Sequence, residues 1–331
     1  MKDITFIDLF AGIGGFRIAL QNNNATCVFS SEIDGKAAET YRENFGEYPA
    51  GDIIEIKSEE IPEHDILCGG FPCQPFSIGG LRKGFEDTRG TLFFQVARIL
   101  KEKQPRAFLL ENVRGIVNHD RGKTLETILS TLDEVGYNCE YRVMNASDYG
   151  IPQNRERWYC VGFRKDLGVS FENENIDKLT YTFPPKMQLE KSINDFVDID
   201  QKGYEITETA NNNINKFLDD FYTRKGQSEY YTIANEIRPS RCNFRNDGIV
   251  PCFTAKMGTG GNNVPVVVEF KRKLTERECL RLMGFPASYR IKENHHQSYK
   301  QIGNSVVVPV IEQLSKGIVE LLNVIDKKNN H

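Results

Sequence analysis

The sequence predicts an α/β chain: a mostly parallel sheet covered by helices on both faces, followed by a smaller, irregular, β-rich domain. Three observations predict it. Short apolar runs alternate with helical segments through the first half. A glycine-rich turn, Ala11-Gly12-Ile13-Gly14-Gly15, follows the first of those runs. Past about residue 166 the alternation stops, and residues 186–272, rich in Asn, Asp, Lys and Gly, have no clear period.

Taken in order, Ile4–Leu9 reads as a strand, and Phe16–Leu20 opens a helix beyond the glycines. Thr26–Ser30 is a second strand and Gly35–Asn44 a second helix. Asp65–Leu67 is a short strand, Thr91–Lys103 an amphipathic helix, Ala107–Leu110 a strand, Thr124–Val135 a helix and Trp158–Phe163 a strand. Phe183-Pro184-Pro185 breaks regular structure. Val306–Val324 is apolar at helical spacing and is expected to pack back onto the first domain. The division expected is a main domain over 1–185, a small domain over 186–272, a hinge over 273–299 and a segment over 300–331 that completes the main domain.

Composition narrows the function classes. Eight cysteines are scattered without a C-x-x-C pair, so neither a zinc site nor a disulfide framework is expected, and no metal is assigned. No run of about 18 apolar residues occurs, so no membrane helix is expected. The opening Met1-Lys2-Asp3-Ile4-Thr5 lacks the basic-then-apolar pattern of a leader, which points to the cytoplasm. The net charge of −4 argues against a polyanionic partner, but its distribution argues the other way. Residues 222–292 hold thirteen basic and six acidic side chains, a basic region able to hold a polyanion.

Five segments carry candidate chemistry. Glycines in Phe10-Ala11-Gly12-Ile13-Gly14-Gly15 let the backbone turn sharply and approach a ligand. Glu32, about 20 residues on, suits a ribose diol, and Asp52 suits an adenine amino group. Together they fit an adenosine-containing cofactor without separating S-adenosylmethionine from NAD. Gly69-Gly70-Phe71-Pro72-Cys73-Gln74-Pro75 sets a cysteine in a loop at a strand's carboxyl end, where a nucleophile would sit. A lone cysteine is more often a buried structural thiol, but the flanking glycines and prolines disfavour a core position. Phe108-Leu109-Leu110-Glu111-Asn112-Val113 closes an apolar strand with a carboxylate. Gln153-Asn154-Arg155-Glu156-Arg157 reads in isolation as a solvated charge run, and Gln301-Ile302-Gly303-Asn304-Ser305-Val306 as a turn and cap.

In this order, the segments resemble the bacterial DNA (cytosine-5)-methyltransferases. The resemblance runs over nearly all of residues 1–165 and again over 271–310, and includes Gly84-Phe85-Glu86-Asp87, Arg89-Gly90-Thr91-Leu92 and Asp148-Tyr149-Gly150-Ile151-Pro152. It implies a Rossmann-like, S-adenosylmethionine-dependent methyltransferase sheet with a target-recognition domain over 186–272. It also implies sequence-specific methylation of C5 of a flipped-out cytosine in double-stranded DNA.

Residue by residue, the resemblance makes Cys73 the nucleophile that adds to cytosine C6. Glu111 becomes the carboxyl group, of raised pKa, that donates to cytosine N3. Arg157 becomes the contact to the cytosine O2 edge, with Arg155 in support. Phe10, Gly12, Gly14, Glu32, Asp52, Pro72 and Asn304 become the cofactor pocket. Ile33 stands where a member of the family has an aromatic residue against adenine, and Gly79 where that member has a serine. Ser77–Arg89, with Arg82, Lys83 and Arg89, reads as a loop that closes over DNA. Thr254–Asn263 resembles the family's target-recognition loops, so Lys256, Asn262, Asn263, Arg241 and Arg245 are assigned to base edges or phosphates.

A restriction endonuclease of the same site is a partner the family suggests, and a monomer is expected because one chain completes the site. The main alternative is an RNA (tRNA) cytosine-5 methyltransferase on the same fold, suggested by Cys252-Phe253-Thr254. A DNA-binding module without catalysis leaves the filled catalytic positions unexplained. A nicotinamide dehydrogenase leaves Pro72-Cys73-Gln74 and Glu111-Asn112-Val113 unexplained.

Overall fold

In a computed structural model of the chain, the described residues are 3–72, 92–171, 179–259, 263–293 and 295–329. They pack into two compact units. One holds Met1–Met144, Glu156–Pro185 and Val310–His331; the other holds Asn145–Arg155 and Lys186–Pro309.

The strands of the first unit are β1 (Thr5–Leu9), β2 (Thr26–Ser31), β3 (Ile66–Gly70), β4 (Ala107–Val113), β5 (Tyr137–Asn145) and, after the two-residue β6 (Gln153–Asn154) of the second unit, β7 (Glu156–Arg164). They form one sheet in the order β2-β1-β3-β4-β7-β5. The pairs β1–β2, β1–β3 and β3–β4 are parallel, and β4–β7 is antiparallel. The helices are α1 (Gly15–Asn22), α2 (Gly35–Phe45), α3 (Leu92–Lys103) and α4 (Lys123–Glu134).

Sequence dictates this layering. The central strands are apolar on both faces, as strands buried under helices on each side must be. Ile7, Leu9, Leu67 and Leu110 of the strands meet Val96 and Leu100 of α3 and Ile128 and Leu132 of α4 in one core. Asp34 caps α2 by accepting the N–H groups of Lys36 and Ala37, and Gly46 ends that helix in the left-handed conformation.

Two features depart from the expectation. Strand β5 was not expected: it lies at the sheet edge, and its mixed sequence Tyr-Asn-Cys-Glu-Tyr-Arg-Val-Met-Asn hides the apolar run that marks central strands. Strands β4 and β7 also run longer than their apolar stretches, because Glu111, Asn112 and Val113 pair with Tyr159, Trp158 and Arg157. Pairing carries polar residues into the ladder exactly where the candidate site lies.

The second unit contains α5 (Glu208–Lys225), β8 (Ile233–Arg238), β9 (Arg241–Arg245), β10 (Val250–Pro251), β11 (Val266–Val267), β12 (Arg272–Lys273), α6 (Glu276–Arg281) and α7 (His296–Asn304). A four-stranded antiparallel sheet, ordered β12-β11-β8-β9, shares a core with α5 through Ala210, Ile214, Ala234, Ile237 and Val266. Helix α5 sits where the sequence shows no clear period. Only Ala210, Ile214 and Phe221 are buried along it, a stripe too narrow to stand out from its polar surroundings. The stretch read as a hinge, 273–299, holds α6 and part of α7. The final helix, α8 (Val308–Asn329), packs with the first unit from Val310 onward. There the amide of Asn23 donates to Glu312 O and Ser315 Oγ, and the Tyr181 hydroxyl donates to Leu314 O.

Candidate active site

The strand order reverses around β1 and β3, since β2 lies to one side and β4 to the other. Open α/β sheets bind ligands at the carboxyl ends of strands at such a reversal. Three of the candidate segments follow or close strands that end there.

The turn after β1 is held under strain. Phe10 has φ +57, a left-handed conformation that a bulky side chain rarely adopts. Gly14, at φ +82, has no room for a side chain: a Cβ there would lie 2.2 Å from Phe45 Cε2. Glu32, at the end of β2, closes the turn from the side. Its Oε2 accepts the Gly12 N–H at 2.8 Å and its Oε1 the Asp34 N–H at 2.7 Å. Burial raises the pKa of Glu32 against the lowering effect of those two bonds. Ile33 beside it is 72% exposed.

The segment that follows α2 is tied to the same edge. Ala50 donates to Ser30 O and accepts from the Glu32 N–H, both at 2.8 Å. Asp52 follows two residues later, with its Oδ1 accepting the Ile54 N–H at 3.0 Å.

Glu111 comes next, at the end of β4. It pairs in register with Gly70 of β3, and a Cβ on Gly70 would lie 3.1 Å from Glu111 Oε2. Asn112 donates to Phe71 O at 2.8 Å and so pins the loop that leads to Pro72. Phe71 is held further by its ring contacts with Phe93 and Trp158. Arg157 of β7 brings its Nε to 3.2 Å from Glu111 Oε1, with both side chains nearly buried. Glycine turn, two acidic groups and a carboxyl–guanidinium pair therefore line one edge of one sheet.

Of the residues assigned from sequence, Phe10, Gly12, Gly14, Glu32, Asp52, Pro72, Glu111 and Arg157 all lie in this unit. Cys73, Arg82, Lys83, Arg89 and Asn262 lie outside the described residues, as does Gly79. Arg155 and Asn304 belong to the second unit. There Arg155 is buried, and its guanidinium donates to Phe253 O, Gly303 O and Ser305 O. That makes it a clamp on the backbone to either side of Asn304. Asn304 itself is exposed at the end of α7.

The residues assigned to DNA that are described lie in the second unit. Arg241 and Arg245 are on β9, paired with Glu236 and Asp247. Lys256 is exposed in a short helical turn over Ala255–Thr259, and Asn263 accepts from Arg238 at 2.9 Å. That turn packs on α7 by close approach: a Cβ on Gly258 would lie 2.6 Å from His296 O, and one on Gly303 2.2 Å from Thr254 O. The sequence reads Gly303 as part of a turn, whereas it is a contact point inside a helix.

Two contributors were missed. Asn112 lies in the segment Phe108–Val113, whose sequence gives no sign of its hold on Phe71. Asp8 is fully buried on β1, and neither carboxyl oxygen has a hydrogen-bond partner. Among the described residues no grouping of His, Cys, Asp and Glu could hold a metal ion. Among them, too, no helix is long and apolar enough to cross a membrane.

Comparison with known proteins gives the family. The family model for C-5 cytosine-specific DNA methylases matches residues 4–320. The chain is 42% identical to the type II methyltransferase M.HhaI of Haemophilus parahaemolyticus, over 98% of this chain and 96% of that one. It is 46% identical to M.HpaII of Haemophilus parainfluenzae, over 97% of this chain and 90% of that one. Among solved structures, S. pombe Dnmt2 methyltransferase shares the fold at a TM-score of 0.69 and 24% identity, over 98% of this chain and 99% of that one. A protein encoded within an E. coli prophage does so at 0.71 and 24%, over 97% of this chain and all of that one. Matched by the family model and by type II relatives over nearly its whole length, the chain is a DNA (cytosine-5)-methyltransferase of the C-5 cytosine-specific DNA methylase family.

Proposed function

We propose that this enzyme methylates cytosine at one short sequence in duplex DNA, using S-adenosylmethionine and a covalent bond from Cys73 to cytosine C6. The observation that carries the proposal is the placement of Glu111 beside Gly70, on the strand that leads through the pinned Phe71 to Cys73.

The sheet edge fits the cofactor. Glu32 keeps both carboxyl oxygens oriented by backbone N–H groups, so their remaining lone pairs suit two ribose hydroxyls. Phe10 would stack on adenine, Asp52 would accept from its amino group, and Gly12, Gly14 and Pro72 would border the pocket. Asn304 is proposed as a further cofactor contact. Ile33 offers adenine an aliphatic face where a relative has an aromatic one. When bound, the cofactor supplies an electrophilic methyl group.

Cytosine C5 is a weak nucleophile, and the residues of this chain would change that. The Cys73 thiolate adds to C6, forming a C–S bond and pushing the ring electrons toward C5 and N3. Glu111 donates a proton to N3 and absorbs the developing charge. Arg157 holds the O2 edge. As C5 takes the methyl group the cofactor would be left as its neutral thioether; a base then removes the C5 proton, N3 returns its proton to Glu111, and the thiolate leaves as the 5,6 double bond re-forms. A guanidinium at 3.2 Å stabilises the carboxylate rather than the acid. A protonated Glu111 therefore requires this pair to part as the base enters.

The target base must leave the stack to reach these groups. Arg82, Lys83 and Arg89 are proposed to close over DNA, and Lys256, Asn262, Asn263, Arg241 and Arg245 to read bases or hold phosphates. The division into a catalytic part and a target-recognition part follows from this reading, as do monomeric action in the bacterial cytoplasm and pairing with a restriction endonuclease of the same specificity. Bisulfite-type sequencing of plasmid DNA treated with enzyme and S-adenosylmethionine tests it. Methylation at one motif supports the proposal; methylation of tRNA but not duplex DNA overturns it.

A further inference from the structure

We infer that Arg98 is a positioning residue for cofactor recognition, acting through Asp52; the inference rests on the reading of Asp52 as the partner of the adenine amino group. Asp52 begins an irregular segment that no sheet or helix supports from within. At its start the segment is fixed to β2 by the two Ala50 hydrogen bonds. Arg98, projecting from α3, fixes the rest. Its Nη2 donates to Ile53 O at 3.2 Å and to Ile56 O at 3.0 Å, and its Nη1 to Ser58 Oγ at 2.6 Å. Its Nε donates to Gln95 Oε1 at 2.9 Å, and Gln95 is buried one turn earlier on the same helix.

The guanidinium thus spends its planar fork on acceptors of one turn, with its own orientation fixed by Gln95. Ile53, directly after Asp52, is held from two sides: its carbonyl by Arg98 and its side chain in the main core. The Asp52 carboxyl is oriented in turn by the Ile54 N–H. Removing Arg98 frees the turn that fixes where the carboxyl points, while the strands that carry Glu32 and Glu111 keep their pairing. A lysine cannot replace it fully, because one ammonium cannot reach three acceptors in a plane.

The test compares binding of S-adenosylhomocysteine with that of its analogue carrying oxygen in place of the 6-amino group, using the full-length enzyme. The ratio of the two affinities isolates the amino-group contact from general weakening. Asp52→Ala should collapse the ratio. Arg98→Ala should lower it by about tenfold, the loss when one hydrogen-bond partner is displaced, and should add little in the double variant with Asp52→Ala. Arg98→Lys should recover part of it. In turnover, Arg98→Ala should raise KM for S-adenosylmethionine far more than it lowers kcat. Should Arg98→Ala destabilise the fold, Ser58→Ala removes one acceptor and should lower the ratio by a smaller factor. A wild-type ratio in folded Arg98 variants, with Asp52→Ala collapsed, overturns the inference and leaves the Asp52 reading intact. A wild-type ratio in Asp52→Ala removes the contact through which Arg98 acts and overturns both.

Discussion

Asp8 places a carboxyl group inside the sheet layer, fully buried and without a hydrogen-bond partner. Burial pushes its pKa up to about 8; the positive charge of Arg17 lowers it only in part, and Glu32 raises it further. The folded protein therefore holds this proton more tightly than the unfolded chain does. Its stabilising contribution is fully present below the ordinary value near 3.8 and is lost as pH rises through 8. Asp8→Asn keeps the shape and removes the titration. Thermal melts at pH 6 and pH 9 should show wild type losing several kcal/mol more than the variant between them. Equal losses would contradict the assignment. At Glu111, Gln keeps the size but cannot deliver the proton. Glu111→Gln should lower single-turnover methylation by about 10²–10⁴-fold while leaving DNA binding near wild type, as filter binding would check. Roles of this kind were legible in sequence only through family segments. Asp8 and Asn112 had no separate signal, because their significance depends on which strand lies beside them.

Element by element, the first unit was readable because its strands are apolar runs and its helices have a wide buried stripe. Edge strand β5 and helix α5 were not, since an edge needs less apolar surface and α5 buries only a narrow stripe. The glycine turn is an element whose tolerance can be measured. Gly14→Ala must accept a left-handed φ and push Phe45 aside, so it should destabilise by about 2–4 kcal/mol in denaturant melts. A loss within error of zero would mean that α2 yields easily. In the second unit, Arg272 and Glu278 form a buried two-point ion pair that joins β12 to α6, and Thr275 caps the same helix. Glu278→Gln leaves Arg272 buried without its counter-charge and should cost about 3–5 kcal/mol in the same assay. Helix α6, which the pair holds to β12, lies in the stretch that the sequence reads as a hinge.

Across the whole molecule, charge and topology divide the labour. The acidic balance of the chain and the basic excess over 222–292 are compatible only because the basic residues are collected in one segment. The catalytic edge was legible as an ordered set of segments, none of which is decisive alone. Sequence could not reveal that strand pairing brings Glu111 to Gly70 and to Arg157 at once. The most direct measurement is methylation-aware sequencing of a plasmid bearing many random sites, incubated with S-adenosylmethionine and either the wild-type enzyme or Cys73→Ser. Cytosine-5 methylation confined to one short motif, and absent with Cys73→Ser, is the expected result. Methylation that survives in the variant, or none from a wild-type enzyme that still binds the cofactor, would contradict covalent catalysis by Cys73 on DNA.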